Sequence, residues 1–454
     1  MKSYNVRHEV NAITINEMLA ELSSESFQIA FEKSGRCMHA EYSVAQATEN
    51  LLNILTLLRR ASHIIAGSLV AIRSYELEIE TAHHLYSCSL AVDKIRTRLT
   101  ELRVEKSKIE DWQDISGFAS CTATLEADSD LVFVSVIYFG YFQLIQRKIS
   151  EYLSFSDPIL DMPSRRLLTE TNSFLDDART WFQGSCRYAD NGASFAWIKK
   201  FSSQIRDLII CELRDGPQSK DAETESVSTV RQRKAQRDPR LKVFANSRNY
   251  STEDLPSLES AKSQRKMKFM DTFRTQRDEL DAIETFANVL FDLRGSNFEF
   301  ELFLARLVSD EARHSEMGHQ WLSGVGYDPF CVPCSTIGID VRTTMQPYTA
   351  FAQINIFGEL QQVASLRRFA LEAKASGDEL SANALDFTNA DELMHVKVGR
   401  EWLKRIALWQ CTSFDKVQEV ARVEAIDRLH DLGIINEDYK STITIKEMAA
   451  IIGE

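Results

Sequence analysis

The sequence predicts an all-α protein. Its C-terminal part reads as a four-helix bundle with a dinuclear metal site, preceded by a second, degenerate helical bundle. Three observations carry this reading. Only 17 Gly and 8 Pro interrupt 454 residues, so long stretches run without helix breakers. A thirteen-residue pattern, D-E-x-x-H-x-x-x-G-x-x-W-L, occurs twice, at Asp310–Leu322 and Asp391–Leu403. A further glutamate precedes each copy at nearly the same distance: Glu279 lies 32 residues before Glu311, and Glu359 lies 33 before Glu392.

Taken in order, residues 15–104 read as helix, within which Glu80-Thr81-Ala82-His83 follows Glu49 by 31 residues. Phe139-Gly140-Tyr141 is similar to Phe357-Gly358-Glu359, with Tyr in the place of Glu. Asp176-Asp177-Ala178-Arg179-Thr180 is similar to Asp310–His314, with Thr in the place of His. Residues 1–214 are therefore expected to be a bundle descended from the same unit, its metal site decayed. Residues 215–261 are polar, then basic, with Arg231, Arg233, Lys234, Arg237, Arg240 and Lys242 in one run. That run reads either as a solvated connector that salt-bridges the acidic body or as a landing patch for an acidic partner or phosphorylated substrate.

The site bundle is expected over 262–411. Helix one covers 262–294, helix two 298–323, helix three 348–376 and helix four 379–411. The connection 324–347, with Cys331-Val332-Pro333-Cys334, passes over one end of the bundle as an expected lid. Trp321 and Trp402, seven residues after each motif His, are expected as core residues beneath the site. Residues 412–454 form a helical extension.

The chemistry follows from spacing. Glu at i and His at i+3 share one helix face, so a carboxylate and an imidazole reach the same ion. Two such helices, each facing a helix that adds one Glu, make a bundle site for two metals. A gap of 32 or 33 residues suits two helices joined by a short loop and running antiparallel. The ligand set is thus Glu279, Glu311, His314, Glu359, Glu392 and His395. Glu284 competes for the helix-one position, but its spacing of 27 does not match the other half. Four carboxylates in an apolar core require compensating charge. Hard oxygens with one imidazole per ion suit iron or manganese.

Residues 270–405 resemble the ferritin-like di-iron carboxylate proteins, whose members include oxygenases, desaturases and radical-generating subunits. The resemblance implies two iron ions (Fe/Fe, or Mn/Fe) and dioxygen as co-substrate. It also implies that Asp310 and Asp391, each preceding a motif Glu, hold the His of the opposite motif through its second ring nitrogen. Chain length and the position of the site also resemble the dimetal-carboxylate halogenases of cyanobacterial lipid pathways, of the cylindrocyclophane type, which act on carrier-bound acyl chains. The expected function is oxygen-dependent C–H hydroxylation or halogenation. An amine N-oxygenase and a tRNA-type hydroxylase are alternatives within the fold; a ferroxidase or a metal-stabilised scaffold are alternatives of another class.

A net charge of −13 argues against general nucleic-acid binding. No secretory h-region is visible at the N-terminus, and no apolar run is long enough to span a membrane. Eight scattered cysteines form no framework, which suits a reducing, cytoplasmic compartment. The expected partners are a small-molecule or acyl-carrier-bound substrate, an electron donor and a second copy in a homodimer, with neither nucleic acid nor membrane.

Overall fold

The computed structural model describes residues 42–110, 118–125, 130–186, 204–213, 235–244 and 267–452. Arg231, Arg233 and Lys234, most of the 215–261 linker, and the stretches expected as helix before residue 42 and at 262–266 lie outside them. The described chain is all-α. Its one strand pairing among the described residues is a two-residue parallel bridge, β1 (Val243–Phe244) with β2 (Cys334–Ser335). No described helix is long and apolar enough to cross a membrane.

Two compact units divide the chain, and they interleave in sequence. One contains Met1–Ser62 and Ser87–Thr224; the other contains His63–Tyr86 and Glu225–Glu454. The expected boundaries at 214/215 and 261/262 take no account of the segment His63–Tyr86, which joins the C-terminal unit. Helix α1 (Val44–Ala66) and helix α2 (Tyr75–Glu101) each contribute to both units.

In the first unit, α3 (Ala119–Leu125) is followed by α4 (Asp130–Ser135), a π-helical turn (Val136–Phe142) and α5 (Gln143–Phe155). Helix α6 (Met162–Cys186) packs back against the π turn and α5, and a further helix covers 204–213. The π turn is buried throughout, and Tyr138 stacks on Phe182 of α6 at 4.8 Å. Asp176, Asp177 and Thr180 are exposed, whereas Ala178 and Phe182 point inward. The likeness of Asp176–Thr180 to the metal motif is therefore one of letters and not of helix face.

In the second unit, the expected single helix over 262–294 is two: α7 (Met270–Arg277) and α8 (Leu280–Asp292), interrupted at Asp278 and Glu279. Both pack on α9 (Phe298–Gly324), whose first turn is capped by Asn297 accepting from Phe300 N at 3.1 Å. After α10 (Ile337–Arg342) and α11 (Pro347–Ala352) comes a second π turn, Gln353–Gly358, which runs into α12 (Glu359–Ala375). Helix α13 (Glu379–Trp409) packs along α12 and touches α9, and α14 (Phe414–Asp431) packs on α11 and α13. The C-terminal α15 (Ile445–Ile452) packs on α10 and the second π turn.

Within each hairpin the helices are antiparallel. Phe273 stacks on Trp321 while Arg277 O accepts from Ser315 Oγ; on the other side Asn355 lies against Gly399, and Leu366 packs with Leu385. The motif glycines now have a reason. A Cβ on Gly318 would collide with the backbone of Phe273 and Arg277, and one on Gly399 with the Asn355 side chain. Both motif tryptophans are buried. Trp321 lies 4.4 Å from Phe273 and donates to Ser381 Oγ, and Trp402 packs on Phe300 at 5.0 Å.

Candidate metal centre

The break between α7 and α8, helix α9, the start of α12 and helix α13 bring the six expected residues to one place, all of them buried. Two groups arise whose ligand atoms lie within 4.8 Å of one another: Glu279, Glu311, His314 and Glu392, and Glu311, Glu359, Glu392 and His395. Glu311 and Glu392 belong to both groups. Glu279 and His314 belong to one, and Glu359 and His395 to the other. The halves mirror each other closely. Glu311 presents Oε2 to His314 Nδ1 and Oε1 to His395 Nδ1, each at 3.2 Å. Glu392 presents Oε1 and Oε2 to the same two nitrogens, each at 3.5 Å. Glu279 approaches His314 Nδ1 at 3.1 Å and Glu359 approaches His395 Nδ1 at 3.6 Å.

The outward nitrogens make crossed contacts. His314 Nε2 lies 3.3 Å from Asp391 Oδ2, and His395 Nε2 lies 3.3 Å from Asp310 Oδ2. Arg313 ties both acids together, donating to Asp391 at 2.6 Å and Asp310 at 3.3 Å. A carboxylate beside Nε2 favours the N–H there and leaves the Nδ1 lone pair facing inward.

Inward, donors are scarce. Both Glu279 oxygens, one oxygen each of Glu311, Glu359 and Glu392, and His395 Nδ1 are buried without a hydrogen-bond partner. They approach one another closely but lack the alignment of hydrogen bonds. Lone pairs aimed at a common point in a dry interior need protons or cations between them. Protons alone distort the titration. Burial pushes Glu359 up to about 8 and Glu279 well above the usual carboxylate range. Burial also pushes Glu311 upward, but the two imidazoles outweigh it and hold that acid down at about 2. Burial opposes charge on both imidazoles, yet Glu279 for His314 and Asp310 for His395 lead a set of acids that raise them. Four carboxylates match two divalent cations in charge, and three carboxylate oxygens with one imidazole match hard or borderline metals. The residues fit a pair of such ions.

Local structure explains how the terminal glutamates arrive. Glu279 stands at the interruption between α7 and α8, and Glu359 directly follows the π turn. Asn355 of that turn, fully buried, donates to Glu359 Oε2 at 2.8 Å and to His395 O at 2.9 Å. Single-turn π insertions often mark functional positions, where the added residue redirects the face of a helix. On the other side, Arg277 is wholly buried. It donates to Asp278 Oδ1 and to the carbonyls of Pro329, Val332 and Pro333. The 324–347 connection, expected as a lid, is thus fastened to the residue pair that precedes Glu279, and it contains β2 and α10. Cys331 is exposed and Cys334 is buried in β2; both are free thiols.

Glu284 is equally buried but belongs elsewhere. Its Oε1 accepts from Arg237 Nη1 at 2.7 Å, and Arg237 also bonds Asp281. Arg237 comes from the basic run and makes the ion pairs to the acidic body expected of a connector, but from a buried and not a solvated position. Its neighbours are engaged too. Arg240 pairs with Asp238 and Glu76 at 2.6 Å each, and Asp238 accepts from Tyr75 N. Glu80 and His83 join no metal-ligating group among the described residues; they lie in the C-terminal unit, where His83 meets Ser309 at 2.9 Å and Glu316 at 3.5 Å. Glu49, the third member of that expected set, is exposed.

Sequence reasoning missed Asn355, Arg277, Arg313 and Arg342. No spacing rule points to them, since their contacts run mainly to other elements of the fold. Arg342 is buried, donates to Gln353 Oε1 at 2.6 Å, and is pulled down by burial to about 10. A cavity of about 70 Å³ reaches Glu279, Glu311, Glu359 and Glu392, with Arg342 also in its wall. Neither histidine borders it. No protein-family model, curated protein or solved structure matches the chain.

Proposed function

We propose that this chain is a ferritin-like di-metal carboxylate oxidoreductase. It would hold two iron ions, or a manganese–iron pair, and use dioxygen to hydroxylate or halogenate a C–H bond of an organic substrate. The observation that carries this reading is the mirrored pair of ligand groups sharing Glu311 and Glu392. A scaffold site needs no such symmetry, and two ions bridged by carboxylates are suited to chemistry that moves more than one electron. When bound, such a pair supplies redox equivalents and a place for oxygen to coordinate.

The chain's own residues do the remainder. Glu311 and Glu392 span both positions, and Glu279 and Glu359 each close one. Asp391 and Asp310 hold the imidazoles in one tautomer and one orientation, so Nδ1 stays directed inward. The histidine side is closed by Asp310, Arg313 and Asp391, while the cavity opens on the glutamate side. Among the described residues, that cavity is the face by which substrate and oxygen would approach. Burial of all six residues keeps bulk water away from the reacting centre.

The test mixes Fe(II)-loaded protein, oxygen and a panel of organic substrates, with and without halide, and reads products by mass. Substrate-dependent oxygen uptake is expected, abolished in His314→Ala and in His395→Ala with helix content largely retained. Rapid Fe(II) oxidation with every substrate untouched would transfer the case to a ferroxidase. Unfolded His variants, with no oxygen chemistry in the parent, would leave only a scaffold.

A further inference from the structure

We infer that the two ion positions are unequal and that Asn355 is the positioning residue that makes them so; the inference rests on the two-ion part of the reading above. The position formed by Glu359 and His395 takes its ion first and holds it more tightly. The position formed by Glu279 and His314 fills second. Glu311 and Glu392 are common to both, and each imidazole has one aspartate behind it at 3.3 Å. The difference lies in the two glutamates that belong to one position each.

Asn355 stands four residues before Glu359. Its amide nitrogen donates to Glu359 Oε2 at 2.8 Å and to His395 O at 2.9 Å. Two acceptors on one nitrogen fix the amide, and Glu359 Oε1 is left facing His395 Nδ1, 3.6 Å away. Thr275 holds the corresponding place four residues before Glu279. Its hydroxyl donates to Asp271 O, within its own helix, at 2.9 Å. Neither oxygen of Glu279 accepts a hydrogen bond, and the nitrogen near it, His314 Nδ1 at 3.1 Å, is itself an inward-facing ligand atom. The motif glycines carry the same asymmetry. The Asn355 side chain fills the space over Gly399, whereas backbone of Phe273 and Arg277 fills the space over Gly318. Close backbone packing thus takes the place that an amide occupies on the other side.

A carboxylate held in place before the ion arrives loses less freedom on binding. Partners of this outer kind typically contribute about 10–100-fold to metal affinity. Glu279 has no such partner and stands at the interruption between α7 and α8, so the ion itself has to order it. Arg342 faces Glu359 and opposes an ion there, but Asp281 answers that charge first and Glu311 shares it.

The experiment titrates the metal-stripped full chain with Mn(II), a redox-inert divalent probe, and reads free Mn(II) by its solution EPR signal. Two neighbouring cations repel, so the parent shows two steps even if its positions are equal. Variants that keep one position decide. Glu279→Gln keeps the Glu359 position, and its ion should bind about as tightly as the first ion of the parent. Glu359→Gln keeps the other, and its ion should bind about tenfold more weakly, or weaker still. Asn355→Leu should cost about 10–100-fold in the Glu279→Gln chain and nothing in the Glu359→Gln chain, a difference that a general loss of packing would not produce. Should Asn355→Leu not fold, the two glutamate variants decide alone. Equal affinities in those two, the reverse order, or an Asn355→Leu effect shared by both chains would overturn the inference. Failure of the underlying reading looks different: a parent chain that binds no Mn(II), or one ion only, lacks the two positions, and the inference falls with them.

Discussion

The two units use one backbone device with different contents. In the second, the π turn Gln353–Gly358 delivers Glu359 to a buried set of acids and imidazoles. In the first, the π turn Val136–Phe142 carries Tyr141, also fully buried, and its hydroxyl meets Ser120 Oγ and Cys121 Sγ at 3.4 Å each. Beside them Glu212 accepts from Ser120 Oγ at 2.5 Å and faces Arg60 at 3.7 Å, and Arg60 lies over the Phe118 ring. One interior contains its own cation. The other gathers four buried glutamates around two imidazoles, with Arg342 in the wall beside them. A π turn by itself therefore carries no chemistry; what it presents to the interior decides that.

Four substitutions and one titration probe this contrast, beginning with the largest effect. Glu359→Tyr copies the first unit's residue into the second. It removes a ligand private to one group, so metal content measured by elemental analysis should fall from two ions per chain to one or none. Two ions retained would break the assignment of Glu359. Next, Arg60→Met should destabilise the first unit by about 3–5 kcal/mol, because Glu212 would remain buried without its cation. Metal content should not change, and denaturant unfolding measures the loss. An unchanged midpoint would show that the Arg60–Glu212 pair is not the internal counter-charge.

Asp310→Asn and Asp391→Asn should each weaken metal binding by about 10–100-fold, with chelator competition as the readout. Each variant should act mainly through the imidazole opposite it, His395 or His314. The smallest effect is a slope. Glu359 titrates at about 8 in the metal-free fold and at an ordinary carboxylate value when unfolded, so between those values the fold holds a proton that the unfolded chain does not. His314 and His395, raised by the acids around them, act in the same direction above pH 6.5. Stability of the metal-free protein should therefore fall as pH rises towards 8, by about 1.4 kcal/mol per pH unit for each such proton. Glu311, held at about 2, adds nothing to this window, since it is ionised in both states there. Bound cations replace those protons, so the difference in melting temperature between loaded and metal-free protein should widen with pH. A constant difference from pH 5 to 8 would show that these groups do not bind the ions.

The legible part of this protein was the part set by local periodicity. Glu311 and His314, or Glu392 and His395, share a helix face because a turn is 3.6 residues, whatever the rest of the chain does. Repetition of the pattern and matching distances to Glu279 and Glu359 then led to the six residues that the fold brings together. The same periodicity misled at Asp176–Thr180, where the letters recur on an exposed face. It also gave no warning that helix one breaks at Glu279 or that helix three takes a π turn before Glu359.

What only the tertiary structure decided is how charge is shared among distant residues. Glu279 and Glu284 are both buried acids on neighbouring turns. One faces the centre because the helix is interrupted beneath it; the other is taken by Arg237, 47 residues away in the chain. Arg277 fastens the 329–333 loop, and Asn355 fits against Gly399, by contacts of the same long-range kind. His63–Tyr86 leaves the N-terminal unit for the C-terminal one without any composition shift to announce it. Helix spacing is an intrinsic property of a short segment and can be read from it. Pairing across the fold depends on which buried charge finds a partner once the chain has closed, and that is a property of the whole.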